Sequence, residues 1–183
     1  MKIGTKYPEL ATWDAIDAAC REFHPRRYLE IGVREGNSLL IALSATKLDQ
    51  VALVDNWGGR FGGTNRGNHG HIERYLSALK FGGSVTYLDG NSKEMLPKLN
   101  GRAFDLALVD ADHTAAGAAW EAAEAWEMLS AGGVMVFDDI AHPDHADLLP
   151  VWEAFLAERL EATELFRVTD RPYGVAAARK GGA

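Results

Sequence analysis

Short apolar runs alternate with longer amphipathic stretches along the whole chain. "RYLEI" (27–31), "VALVD" (51–55), "SVTYLD" (84–89), "FDLALVD" (104–110) and "GVMVFDD" (133–139) read as strands, and most of them end in an acid. Their near-continuous apolarity is that of strands buried on both faces, as in a parallel sheet. Helical spacing fills the gaps at 37–47, 70–81, 91–99 and 114–130. The last of these sets Trp120, Ala123, Trp126 and Met128–Leu129 roughly on one face. A further helix at about 146–161 carries Leu148, Trp152, Phe155 and Leu156, and residues 1–24 form an N-terminal helical segment. "ELFRVT" (164–169) and "GVAAAR" (174–179), joined by "DRPY", read as an antiparallel hairpin. The pattern predicts an α/β fold: one doubly wound sheet, mostly parallel, with a C-terminal antiparallel hairpin. A single domain over 1–183 is expected.

Composition narrows the function. At 47% hydrophobic and 25% charged residues the chain has the balance of an ordinary globular protein. Its net charge of −7, with lysine and arginine scattered, opposes a general nucleic-acid binder. No segment has the length and apolarity of a membrane span, and the acids Glu9 and Asp14 in the first 16 residues argue against a signal peptide. One cysteine, Cys20, precludes an internal disulfide or a cysteine zinc cluster and suggests a cytoplasmic setting.

In a doubly wound sheet the acids that end the strands gather on one rim, where ligands bind. After the first strand stands "LEIGVREGNS" (29–38). Gly32 and Gly36 permit a tight turn and close backbone approach. Ser38 then falls in the first turn of a helix, whose free N–H groups favour a carboxylate or phosphate. Position 34 is Arg and position 35 is Glu, so the dinucleotide glycine fingerprint is missing, as is the P-loop lysine signature. Glu30 would serve a pyrophosphate poorly and a sulfonium or amino group well. Asp55, 19 residues after Gly36, is placed to accept hydrogen bonds from two ribose hydroxyls, with Asn56 beside it; a cap or turn role is the alternative. Asn91, Ser92 and Lys93 read as a helix cap that could also grip an adenine edge.

These stretches, with "LSAGGVMVFDD", resemble the class I S-adenosylmethionine-dependent methyltransferases over nearly the whole chain. Within them the sequence is similar to the small cation-dependent O-methyltransferases of the catechol and caffeoyl-CoA type and to their bacterial relatives acting on sugars and antibiotics. The resemblance implies a Rossmann-like domain in which Glu30 and Gly32 lie beneath the methionine part and Ser38 meets its carboxylate. It implies that Asp55 holds the ribose and that Gly90, Ser92 and Lys93 line the adenine. Asp110, which ends the fourth strand on the same rim, is counted with both the cofactor and the catalytic residues. It further implies a magnesium or other divalent cation on Asp110, Asp138 and Asp139, which would chelate acceptor oxygens. The family's catalytic lysine position is His113 here, a residue able to act as general base near neutral pH. Asp139 stands where the family has asparagine. The alternative is that Asp112, His113 and Thr114 merely cap the following helix and Asp138–Asp139 merely turn the chain.

The expected activity is methyl transfer to a hydroxyl of a small molecule, with a homodimer as the default assembly. Alternatives are a metal-independent N- or C-methyltransferase and a non-catalytic binder of S-adenosyl ligands. The loop "NWGGRFGGTNRGNHG" (56–70) reads either as a lid or as a plain connector. Its His69 and His71, and the pair His142 and His145, either serve a metal or substrate or are simply solvated. Trp57 is a candidate for packing on the adenine or the acceptor, whereas Trp120, Trp126 and Trp152 have core or interface spacing.

Overall fold

The computed structural model describes residues 2–7, 10–57 and 68–181. Most of the glycine-rich loop, 58–67, lies outside the described residues, and so does its reading as a lid. Seven strands form one sheet: β1 Arg27–Ile31, β2 Gln50–Asp55, β3 Ser84–Asp89, β4 Phe104–Val109, β5 Leu129–Asp138, β6 Ala162–Val168 and β7 Val175–Lys180. Their order is β3-β2-β1-β4-β5-β7-β6. β1 to β5 are parallel, and β7 pairs antiparallel with both β5 and β6. This is the doubly wound sheet with a terminal hairpin that the apolar runs predict.

Strand alternation divides the core in two. Leu29 and Ile31 face one side, packed with Trp126 of helix α5 (Ala115–Met128) and Trp152 of α6 (Leu148–Glu158). Tyr28 faces the other, with α1 (Ala11–Phe23), α2 (Asn37–Ala45) and α3 (His69–Ala78). Glu30, two residues on, shares that second face. In α1 the buried residues Ala11, Ala15, Ile16, Ala19 and Cys20 form the inner stripe. Trp126 and Trp152 are core residues. No helix among the described residues is long and apolar enough to cross a membrane.

The boundaries differ from the sequence expectation in three places. The helix expected over 91–99 becomes a single turn, α4 (Ser92–Met95), followed by a 3-10 turn at Leu96–Leu99, where Pro97 supplies no backbone donor. Helix α5 stops at Met128, because Leu129 is already extended and opens β5. The strand then shifts register by three residues against β4 between Phe104 and Leu106. Finally, α6 begins at Leu148 because residues 139–148 run as three successive turns. His142 N–H donates to Asp139 O (3.0 Å), His145 N–H to His142 O (3.1 Å), and Leu148 N–H to His145 O (3.0 Å).

Cys20 has no solvent exposure, and burial pushes its thiol up to about 12. A buried thiol held protonated is a poor nucleophile. Native protein is therefore expected to resist thiol reagents at pH 8 for hours and to react within minutes in denaturant. Fast labelling of the native chain would show that α1 does not stay on the sheet.

Candidate active site

The strand order reverses between β1 and β4, so the loops that leave their carboxyl ends diverge and open a crevice. The backbone there is drawn very close. Asp110 N–H donates to Ile31 O at 2.8 Å and Gly32 N–H to Val54 O at 2.9 Å. Gly32 has φ +87°, and a Cβ on it would lie 1.9 Å from the carbonyl oxygen of Asp110. Only glycine fits that crossing. Gly36, at φ +75°, begins α2 with no side-chain cap, and Ser38 lies buried in its first turn. The unclaimed N–H groups of that turn face the crevice end of the strand.

Glu30 sits beneath this turn with 1% exposure, and its Oε2 has no hydrogen-bond partner; nor has the buried hydroxyl of Tyr28 on the same face. Burial raises the Glu30 carboxyl well above its ordinary range; the Tyr28 hydroxyl nearby opposes the rise, and the charges of Asp110 and Asp55 add to it. An orphaned buried carboxyl under a glycine turn fits a cationic ligand group, which would supply the missing partner. Asp55, at the end of β2, accepts the N–H groups of Val33 and Arg34 on Oδ2, both at 2.7 Å, and that of Trp57 on Oδ1 at 2.6 Å. It thus ties the β1 and β2 loops together, and the one lone pair left, on Oδ1, would accept a ribose hydroxyl. Asn56 follows, half-buried. Gly90 N–H donates to Asp55 O at 2.9 Å, and a Cβ on Gly90 would meet Met95 at 2.7 Å. Ser92 and the exposed Lys93 open α4, where the Asn91 side chain accepts Lys93 N–H.

The acids of β4 and β5 meet at the other side of the crevice. His113 Nε2 lies 3.0 Å from Asp139 Oδ2 and 3.5 Å from Asp110 Oδ1. The two carboxylates, Asp110 first, push the imidazole up to about 10. Despite these distances Nε2 makes no hydrogen bond of good geometry. Capping of α5 falls instead to Thr114, which accepts Gly117 N–H, and to Asp112, which accepts the N–H and hydroxyl of Thr114. His113 is left free of that role. Asp138 behaves differently from its neighbour. It is buried, and its Oδ1 accepts both the Thr12 hydroxyl and Asp139 N–H. Burial, then the charges of Asp110 and Asp139, raise its carboxyl well above the ordinary range.

A hard-cation site needs carboxylates that are ionised and turned to one point. Asp138 directs its Oδ1 toward Thr12 of α1. The cluster whose donor atoms all lie within 4.8 Å of one another, among the described residues, is His113, Asp139 and His145. Asp110 and Asp138, expected as ligands beside Asp139, lie outside that cluster.

The methyltransferase-domain family matches residues 29–140, which spans the whole crevice from Glu30 to Asp139. The chain belongs to that family. Among solved structures, this methyltransferase is similar to the O-methyltransferase TomG from Streptomyces achromogenes, involved in tomaymycin synthesis and solved with SAM. The identity is 21%, the match covers 92% of this chain and 78% of that one, and the TM-score is 0.68. Cofactor-bound Rv0187 from MTB matches at 19% identity over 100% of this chain and 85% of that one, with a TM-score of 0.71. The O-methyltransferase from Bacillus cereus, in complex with SAH, matches at 14% identity, 91% and 79% coverage, and a TM-score of 0.68. No curated protein sequence matches.

Residues that pattern alone did not single out brace the strand ends of this methyltransferase. Asp89, the register partner of Asp55, accepts Trp57 Nε1–H at 3.1 Å and lies 2.8 Å from His69 Nε2. His69 in turn stacks on Tyr87 at 4.1 Å. Trp57 is thereby held by Asp55 and Asp89 where the β2 loop begins. Thr12 of α1 holds Asp138, and Glu121 of α5 accepts Asp112 N–H at 3.0 Å. The available signal was only that both are polar residues on otherwise apolar helix faces.

Proposed function

We propose that this single methyltransferase domain moves a methyl group from S-adenosylmethionine to a hydroxyl oxygen of a small molecule. The observation that carries the reading is Glu30: a buried carboxyl with an unpartnered oxygen beneath a glycine turn, where the methionine end of the cofactor carries positive charge. Around it Gly32 and Gly36 keep the crevice open to close approach, and Ser38 with the first turn of α2 receives the cofactor carboxylate. Asp55 with Asn56 holds the ribose, and Gly90, Ser92 and Lys93 border the adenine. S-adenosylmethionine supplies an electrophilic methyl carbon and a neutral thioether leaving group.

The chain's own contribution is position and proton handling. His113 receives the acceptor's proton on Nε2, between Asp110 and Asp139. In the resting protein those carboxylates keep the ring protonated. The arriving sulfonium adds positive charge to the same rim and favours release of that proton, leaving the free nitrogen as base. Asp110 orients the ring.

Calorimetric titration with S-adenosylhomocysteine tests the reading. One site of micromolar affinity is expected, weakened at least tenfold by Asp55→Ala. Absence of binding would remove its basis.

A further inference from the structure

The turns after β5 place three imidazoles in one column. His142 and His145, one hydrogen-bonded turn apart, stack at 4.4 Å; His145 stacks on His113 at 4.4 Å and 16°; Tyr173 covers the far face of His142 at 4.6 Å. We propose that His113, Asp139 and His145 form a binding site for a borderline divalent cation of the zinc and cobalt class, in place of a magnesium site on three aspartates. The inference goes beyond methyl transfer and does not depend on it.

Three observations support it. The donor atoms of these residues already lie within 4.8 Å of one another. The Nε2 of His113 is out of contact with solvent and lacks an aligned hydrogen bond, so an ion that displaces its proton breaks no bond within the protein. Charge also balances: Asp139 in the cluster and Asp110 close by, 3.5 Å from His113 Nε2, together match a doubly positive ion. Ligand chemistry selects the ion. Two imidazole nitrogens and one carboxylate suit zinc or cobalt, whereas magnesium demands a shell of oxygens in near-octahedral array. Asp138 holds both the Thr12 hydroxyl and the Asp139 N–H on its Oδ1, so only Oδ2 is left to join an oxygen shell.

Binding has a conformational consequence. Ring nitrogens bind in the plane of the ring, about 2.0–2.1 Å from the ion, and two nearly parallel stacked rings cannot aim at one point. His145 must therefore tilt out from between His113 and His142 as the ion enters. An ion held there also occupies the Nε2 position to which the methyl-transfer reading assigns proton uptake, so the two uses exclude each other on one molecule.

The test is titration of the full, tag-free chain with Co²⁺ and Zn²⁺, followed by calorimetry, cobalt absorption and histidine ring proton shifts. The expected result is one ion per chain at micromolar affinity, a cobalt visible band, shifted His113 and His145 ring signals, and no displacement by a hundredfold excess of Mg²⁺. His145→Phe, which keeps the stack and removes the donor, and Asp139→Asn should each weaken binding at least 30-fold. Asp138→Asn should leave it within threefold. Affinity weaker than millimolar, indifference to His145→Phe, or equal competition by Mg²⁺ would overturn the proposal. Titration of the same samples with S-adenosylhomocysteine reports separately on the cofactor site.

Discussion

Replacing His113 with alanine is expected to lower methyl transfer by about 100- to 10,000-fold, the usual contribution of a positioned general base. Affinity for S-adenosylhomocysteine should change by less than threefold. The split follows from geometry. His113 touches Asp110 and Asp139 on the β4–β5 side of the crevice, while Glu30, Asp55 and the α2 turn lie on the β1–β2 side. The fold should tolerate the change, since Thr114 and Asp112 cap α5 without help from the imidazole. Steady-state rates and calorimetry on the same variant decide the matter. An unchanged rate would remove His113 from the chemistry; a parallel collapse of cofactor affinity would make it a structural residue.

The parts of this site that were legible in the sequence are those set by backbone topology. β1 to β5 announce themselves as apolar runs because both faces of each are covered, and the sheet then delivers the strand-end acids Asp55, Asp110 and Asp138 to one rim whatever the loops do. Gly32 was readable for the same reason, since the β1–β4 crossing leaves no room for a Cβ. What pattern could not supply was the direction in which each acid points. Asp138 and Asp139 are adjacent and alike, yet one turns inward to Thr12, 126 residues away in sequence, and the other outward to His113. The positive φ of Asp139 (62°) separates the two, and no local propensity signals it. His145 stood out with His142 as a metal or substrate candidate, but its place beside His113 was hidden, because it depends on the successive turns over 139–148.

Glu30→Gln is expected to have opposite effects on stability and on cofactor binding. The native carboxyl is raised above its ordinary value of 4.5 by burial. Below pH 4.5 it is protonated whether the chain is folded or not, and the substitution should leave stability unchanged. Above that pH the unfolded chain releases the proton while the native chain keeps it, so wild-type stability falls with rising pH until the native group itself ionises. Glutamine has no proton to keep. The cofactor-free variant should therefore be more stable than wild type at pH 7.5, with urea midpoints converging at pH 4. Cofactor affinity should move the other way. A cationic methionine end lying over Glu30 would draw off its proton and gain a counter-charge that glutamine cannot supply, a loss worth on the order of 100-fold in affinity for S-adenosylmethionine at pH 7.5. Increased stability together with weakened binding is the pattern of a residue kept for its ligand at a cost to the fold. Equal affinity for the two proteins would mean that the unpartnered oxygen of Glu30 faces something other than the cofactor.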